Sequence, residues 1–111
     1  MRLQILSSLL FGVVLSTSSY AGTAGQVKIR NINFMSQGVV IFYVEGARNG
    51  APACATEGSR FALDVTTPGG KAQLAGILTA YAMGKPVNVY GTSACNLWGD
   101  TETVDFFQTA D

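Results

Sequence analysis

The segment from Lys71 to Tyr90, KAQLAGILTAYAMGKPVNVY, constrains the fold more than any other part of the sequence. Its apolar side chains recur at helical spacing and fall on one face of an α-helix: Leu74, Ile77, Leu78 and Tyr81. Gly84 suits the left-handed position just after a helix, and Pro86 prevents the helix from continuing. Val87 and Val89 then alternate with polar residues, which predicts a half-buried strand directly after the helix.

The first 21 residues have the composition of a secretory signal peptide. Arg2 supplies positive charge, and the apolar run from Ile5 to Leu15 is short for a segment that spans a bilayer. Ser19 and Ala21 provide small residues at the −3 and −1 positions, so we predict cleavage between Ala21 and Gly22. An N-terminal membrane anchor is the alternative. We expect a periplasmic or secreted protein with no membrane span after cleavage.

Charge and cysteine content narrow the partners and the environment. Without Arg2, six basic and seven acidic residues remain in the mature chain. This near-neutral balance lacks the basic excess that binding to nucleic acid requires, so we expect no nucleic-acid partner. Cys54 and Cys95 are predicted to form a disulfide bond because the chain is destined for an oxidising compartment. A reactive thiol is the alternative.

Three runs with the character of β-strands precede the predicted helix, and two follow it. They are Val27 to Phe34, Val39 to Val44, a run centred on Phe61 to Val65, Val87 to Tyr90, and Glu102 to Gln108. The alternation slips near Arg30 and Asn31, which predicts a β-bulge. Residues 22–26 are predicted to be a flexible lead-in, and residues 46–57 a loop.

The order of these elements predicts a mainly β fold. It matches a five-stranded, OB-fold-like Greek-key barrel with one α-helix between strands 3 and 4. We therefore predict a signal peptide over residues 1–21 and a single domain over residues 22–111. A simple α+β sandwich with the same order of elements is the alternative.

A second face of the predicted helix carries no charge. Its members are Ala72, Gly76, Thr79 and Met83. A helix on the surface of a monomer normally has charged residues there, and a glycine in mid-helix costs about 1 kcal/mol relative to alanine. We predict that this face packs against a copy of itself in a homo-oligomer. The alternative is that these small residues only face solvent.

The residues needed for common kinds of catalysis are missing. The sequence has no histidine, which removes the most frequent general base and metal ligand. With both cysteines paired there is no thiolate site for zinc, and no phosphate-binding glycine motif occurs. Asp100, Glu102 and Asp105 form a carboxylate cluster, which could serve a glycosidase but is more typical of solvated or capping residues. We expect no enzymatic activity, no cofactor and no metal.

A binding site is easier to place. OB-folds bind oligonucleotides or oligosaccharides through the barrel face and the loops that join strands 1–2 and 4–5. The second of these loops contains Asn96, Trp98 and Asp100, a flat aromatic ring among hydrogen-bonding groups that suits a sugar. The alternative is that Trp98 packs over the disulfide bond and seals the barrel. Alternation leaves both faces open for Tyr43 and Tyr90.

Short motifs carry a resemblance to a known family. Ser36 to Ile41 (SQGVVI) and Leu78 to Tyr90 (LTAYAMGKPVNVY) resemble the B subunit of subtilase cytotoxin. The loop SACNLWGDTETV is similar to small secreted proteins related to that subunit. The resemblance implies a secreted, disulfide-bonded OB-fold that assembles into homopentamers around its helices. Toxin members bind sialylated glycans and deliver a catalytic A subunit.

The resemblance also implies positions for a ligand. Ser36 matches a serine that contacts sugar, with Gln37 inserted beside it, whereas Gly91 stands where the toxin has a sugar-contacting tyrosine. The complete set of predicted ligand-binding residues is Ser36, Gln37, Tyr90, Asn96, Trp98 and Asp100. We predict a secreted, non-catalytic binding module that recognises a glycan or glycoprotein as a homo-oligomer. A periplasmic interaction or inhibitor protein, acting as a monomer, is the alternative.

Overall fold

The computed structural model describes residues 21–110 as a mainly β domain with one helix. The predicted signal peptide lies outside these residues except for Ala21. The strands are β1 (Thr23–Phe34), β2 (Val39–Glu45), β3 (Arg48–Asn49), β4 (Arg60–Asp64), β5 (Val87–Gly91) and β6 (Glu102–Thr109). The helix α1 (Pro68–Met83) lies between β4 and β5.

The long first strand pairs on both sides. β1 runs antiparallel to β2 and to β5, β2 pairs with β4, and β5 pairs with β6, all antiparallel. β4 and β6 pair in parallel over a short stretch. The register of β1 against β2 shifts between Arg30 and Asn33, where Asn31 has a φ of 49°. The predicted bulge is confirmed.

The first strand begins earlier than the sequence indicates. Residues 23–26 were expected to be a lead-in, but they belong to β1, where Thr23 pairs with Tyr90 and with Asn49. The register of β1 against β5 shifts between Ala24 and Val27, and Gln26 has a φ of 55°. This second irregularity breaks the alternation that identifies a strand. The same pairing creates the two-residue β3 inside the predicted loop.

The main core lies between the sheet and α1. Its largest fully buried apolar side chains are Phe42, Phe61, Leu63, Ile77, Val27, Val40, Val44, Val87 and Val89. A second cluster lies on the other side of β2 and β4, where Val39, Ile41 and Ala62 are buried. The sheet is therefore covered in part on both faces, and the second cluster belongs to the loop region described below.

Capping residues define both ends of α1, and the carboxyl end is the one that the sequence predicts. Thr67 is the N-cap, and its hydroxyl accepts a hydrogen bond of 2.9 Å from the Gly70 amide. Pro68 occupies the first turn, and Gly84 adopts the left-handed conformation with a φ of 65°. A Cβ on Gly70 would lie 1.6 Å from the Asp64 carbonyl oxygen, so a glycine is needed where the helix meets β4.

The inward face of α1 differs from the expected stripe. Gly70, Ile77 and Ala80 are buried, whereas Leu78 is 37% exposed and Tyr81 is 51% exposed. The face that the sequence predicts from Leu74, Ile77, Leu78 and Tyr81 is therefore only partly in the core. Apolar residues occur all around this helix, so their spacing does not determine its orientation. The small residues face the sheet because they allow the backbone to approach closely.

The predicted disulfide bond is present. It joins Cys54, in the loop before β4, to Cys95, in the loop between β5 and β6, with Cα atoms 6.1 Å apart. No helix among residues 21–110 is both long enough and apolar enough to cross a membrane.

Candidate functional site

Trp98 covers one face of the sheet. Together with Leu97 and Met35, it packs against the buried cluster of β2 and β4. The Thr101 amide donates to the Trp98 carbonyl over 3.0 Å, which closes a tight turn. Trp98 is half-buried, so part of its ring is accessible. The rest of the ring contacts the apolar cluster, and this packing holds the loop against the sheet.

The polar residues beside Trp98 have partners within the domain. Asp100 accepts a bond of 2.6 Å from an Arg60 nitrogen and one of 2.9 Å from the Thr101 hydroxyl. Asn96 accepts a bond of 2.8 Å from the Thr103 hydroxyl and is exposed. Asp100 is thus engaged in an ion pair that fixes the turn, whereas the exposed Asn96 is better placed to meet a ligand.

The turn between β1 and β2 lies near the same cluster. Met35 packs against it, and the two following residues, Ser36 and Gln37, are exposed. The Ser36 hydroxyl lies 3.4 Å from the Gln37 side-chain oxygen. Because Met35 and Trp98 belong to one cluster, the structure brings the predicted residues of the first turn near those of the Trp98 loop.

Tyr90 belongs to a different surface. Its ring stacks on Phe106, with centroids 4.5 Å apart and planes at 15°, and its hydroxyl lies 3.5 Å from the Gln108 side-chain oxygen. Asn88 pairs with Gln108 in the neighbouring register position. We call Asn88, Tyr90, Phe106 and Gln108 the Tyr90 surface. Sequence reasoning missed Phe106 and Gln108, although pairing of the last two strands would have placed them beside Tyr90.

The three predicted carboxylates have separate environments. Glu102 is fully buried and accepts bonds from the Arg48 guanidinium, from the Gly22 amide over 3.0 Å and from the Ser93 amide over 2.8 Å. Asp100 pairs with Arg60, as described above. The third, Asp105, is exposed, and its carbonyl accepts a bond of 2.8 Å from the side chain of Gln73.

Arg48 is the cation that pairs with the buried Glu102. Desolvation by burial lowers the pKa of its guanidinium, and the charge and hydrogen bond of Glu102 act in the opposite direction. The guanidinium also stacks over the Phe61 ring at 4.1 Å and donates to the carbonyls of Gly58 and Arg60. An arginine stays protonated in such a site, so Glu102 has a permanent cationic partner.

The predicted oligomer face of α1 borders a groove. We call this cavity of about 420 Å³ between α1 and the end of β6 the helix groove. Its lining includes Gly76, Thr79 and Met83 of the predicted face, with Pro86, Thr109 and Ala110 opposite. Met83 is 63% exposed, and Ala72 is exposed one turn before Gly76. Lys71 is the one charged residue of α1.

Gly76 has a contact within its own chain. A Cβ at this position would lie 2.6 Å from the Cζ atom of Phe107, which packs against the main core. The missing side chain of Gly76 therefore accommodates β6 of the same protomer. The accessible part of the predicted face is formed by Ala72, Thr79 and Met83.

The part of the chain that the structure describes contains no group of three or more histidine, cysteine, aspartate or glutamate residues arranged to hold a metal ion. No protein-family model, curated protein sequence or solved structure significantly matches this chain.

Proposed function

We propose that this domain is a secreted, non-catalytic binding module that recognises a glycan or glycoprotein and assembles into a homo-oligomer through α1. The observation that carries the binding proposal is the Tyr90 surface. It combines stacked aromatic rings, of which Phe106 is 45% exposed, with neighbouring amide side chains. Sugars present C–H faces to aromatic rings and hydroxyls to amides, so this chemistry suits a carbohydrate.

The strand order supports an OB-fold-like barrel as the scaffold. Starting from β1, the pairings lead through β2, β4, β6 and β5 and return to β1. This closed circuit of five strands supports a Greek-key barrel with one helix. In that architecture, the β1–β2 turn and the β5–β6 loop belong to the ligand-binding region. The turn with Ser36 and Gln37 is therefore a second candidate contact region, separate from the Tyr90 surface.

A glycan array probed with the oxidised mature protein tests the binding proposal. We expect binding to a defined set of sugars, and a loss of about tenfold in affinity for Tyr90→Ser and for Phe106→Ser, equivalent to about 1.4 kcal/mol. Phe34→Ser is the matched control for the Tyr90 surface alone, because Phe34 is a 62% exposed aromatic residue outside that surface that lies next to the first turn. Ser36→Ala tests the contribution of the first turn. If the variants at Tyr90, Phe106 and Ser36 all bind sugar as the wild type does, neither the Tyr90 surface nor the first turn is the binding site.

The homo-oligomer rests on the exposed side of α1. The α1 part of this surface carries no charge after Lys71, so identical copies meet without repulsion over most of the helix, and Lys85 adds one positive charge to the lining of the helix groove. The helix groove offers a concave partner for the protruding Met83 of a second copy. The resemblance to toxin B subunits predicts five protomers around such helices, and the proposed occupant of the groove is therefore another copy of this chain.

Light scattering after size exclusion tests the assembly. We expect the wild-type mass to be a multiple of the protomer mass, and Met83→Glu and Thr79→Glu to give folded monomers because they bury a charge in the interface. Phe34→Glu is the control and should leave the assembly intact. Gly76→Leu is unsuitable, because the new side chain would strike Phe107 in the same protomer.

The second candidate is a periplasmic interaction or inhibitor protein that acts as a monomer. The exposed apolar residues of α1 would then contact a protein of a different sequence. A monomeric wild-type protein that binds no sugar on the array would replace the first proposal with this one.

A further inference from the structure

Gly22, the first residue of the predicted mature chain, has its backbone nitrogen bound inside the domain. Gly22 is buried, and its backbone nitrogen lies 3.0 Å from Oε2 of the fully buried Glu102. The preceding residue, Ala21, is exposed. The chain therefore leaves the domain directly at the atom that Glu102 binds. This is the position at which the sequence predicts cleavage by a signal peptidase.

The site around Gly22 admits only a glycine. A Cβ there would lie 2.6 Å from Oε1 of Glu102, 2.7 Å from Nη2 of Arg48 and 2.7 Å from the carbonyl oxygen of Gly50. The Gly22 carbonyl also accepts a bond of 2.9 Å from the Gly91 amide. Both polar groups of this residue are thus held, and its position relative to Glu102 is fixed.

The surroundings of Glu102 direct donors at its carboxylate. Ser93 has a φ of 68°, an unusual conformation for a residue other than glycine, and its amide donates to Oε2 over 2.8 Å. Arg48 pairs with Oε1. The Gly22 nitrogen and the Ser93 amide thus share Oε2, while the arginine occupies the other oxygen.

We propose that removal of the signal peptide between Ala21 and Gly22 creates an α-ammonium group that forms a charge-assisted bond to buried Glu102, so that processing stabilises the folded domain. Cleavage hydrolyses the peptide bond: water supplies the hydroxyl of the released Ala21 carboxyl group and the hydrogen of the new amine, which takes up a proton at neutral pH. Hydrogen bonds to ionised groups are roughly twice as strong as neutral ones. Because Ala21 is exposed, the other hydrogens of the ammonium have a route to solvent on that side.

The charged side chains next to this nitrogen have opposite effects. Glu102 favours the protonated amine, whereas Arg48 and partial burial disfavour it. The carboxylate is in direct contact through a hydrogen bond, and the guanidinium is already paired with it. The proposed bond requires a protonated amine, so the stability that it contributes is present at neutral pH and is lost when the amine is deprotonated at high pH.

The test compares two oxidised proteins that differ by one residue, one starting at Gly22 and the other at Ala21. At pH 7, we expect the unfolding equilibrium constant of the Ala21 form to be about tenfold larger, because its Gly22 nitrogen is a neutral amide. The difference in stability between the two forms should disappear above about pH 10, where the free amine is uncharged. Equal stability of the two forms at pH 7 would overturn the proposal.

Two further measurements make the assignment specific. The Gly22 amine of the folded protein should react at least about fivefold more slowly with an amine-selective acylating reagent than the amine of the Ala21 form, and equal rates would refute the bond to Glu102. Glu102→Gln should abolish the stability gap between the two forms. The exported full-length chain should yield a mature protein that begins at Gly22, as determined by intact mass. A different amino terminus would also overturn the proposal.

Discussion

Two adjacent glycines at the start of α1 should respond to the same substitution in opposite ways. A Cβ on Gly70 would lie 1.6 Å from the carbonyl oxygen of Asp64 and 2.6 Å from its carbonyl carbon. A Cβ on Gly69 would have no heavy atom of the rest of the chain within 4 Å. Both glycines lie in the first turn of α1, so backbone propensity affects both in a similar way.

The magnitudes follow from this difference. Gly69→Ala should leave the free energy of unfolding unchanged or raise it by up to about 1 kcal/mol, because alanine reduces the freedom of the unfolded chain. Gly70→Ala places a methyl group inside backbone atoms that cannot rotate away, so α1 must move from β4. Overpacking costs about 1–3 kcal/mol, and this site belongs at the upper end. Loss of the bond between the Gly70 amide and the Thr67 hydroxyl adds about 1 kcal/mol.

Urea unfolding of the oxidised protein starting at Gly22, followed by far-ultraviolet circular dichroism, measures both effects. Thr67→Ala serves as a control for the cap alone and should cost about 1 kcal/mol. The expected difference between Gly70→Ala and Gly69→Ala is therefore about 3–5 kcal/mol. If the two alanine variants are equally stable, the close approach of α1 to β4 does not require a glycine, and the reasoning is refuted.

Other perturbations have defined outcomes. Replacing both cysteines by alanine should lower the free energy of unfolding by about 4 kcal/mol, because the bond closes a loop with a sequence separation of 41; urea unfolding that shows a loss below about 1 kcal/mol would contradict this. Arg48→Met leaves the buried Glu102 without its cation and should cost about 3–5 kcal/mol in the same assay, whereas Arg30→Met breaks an exposed pair and should cost about 1 kcal/mol or less. The hydroxyl and amide of Thr66 donate to Asp64 and hold the pKa of that carboxyl below its ordinary value, so its contribution to stability is present above the unfolded pKa and is lost as the pH falls through the folded one. Thr66→Val should raise this pKa in an NMR titration, and an unchanged value would show that the hydroxyl is not a significant cause.

Local signals in the sequence were sufficient for several elements. Gly84 marked the carboxyl end of α1 because capping depends on a few neighbouring residues. The slip in alternation near Asn31 located the bulge, since side chains in a regular strand point to opposite faces in turn. The two cysteines allowed only one intramolecular pairing within the chain.

Features that depend on distant contacts could not be predicted in the same way. The start of β1 was hidden because Gln26 interrupts the alternation, and only its pairing partners in β5 show that it lies in a strand. Glu102 looked like one of several solvated acids, yet it is buried against Arg48, a residue far away in the sequence. Tyr81 matched the apolar stripe of α1 but is exposed, because a helix that is apolar all around can pack in more than one orientation.

The parallel contact between β4 and β6 is one of the two shortest pairings in the sheet, the other being that of β1 with β3. Its register consists of Phe61 with Glu102 and Ala62 with Thr103. The disulfide bond and the ion pair between Arg60 and Asp100 link the segments that flank these two strands. At this seam, the contact between β4 and β6, a disulfide bond and an ion pair thus supplement a short series of backbone hydrogen bonds. In reducing conditions, local opening of the seam should become the easiest native-state fluctuation, visible as faster amide hydrogen exchange in β4 than in β2.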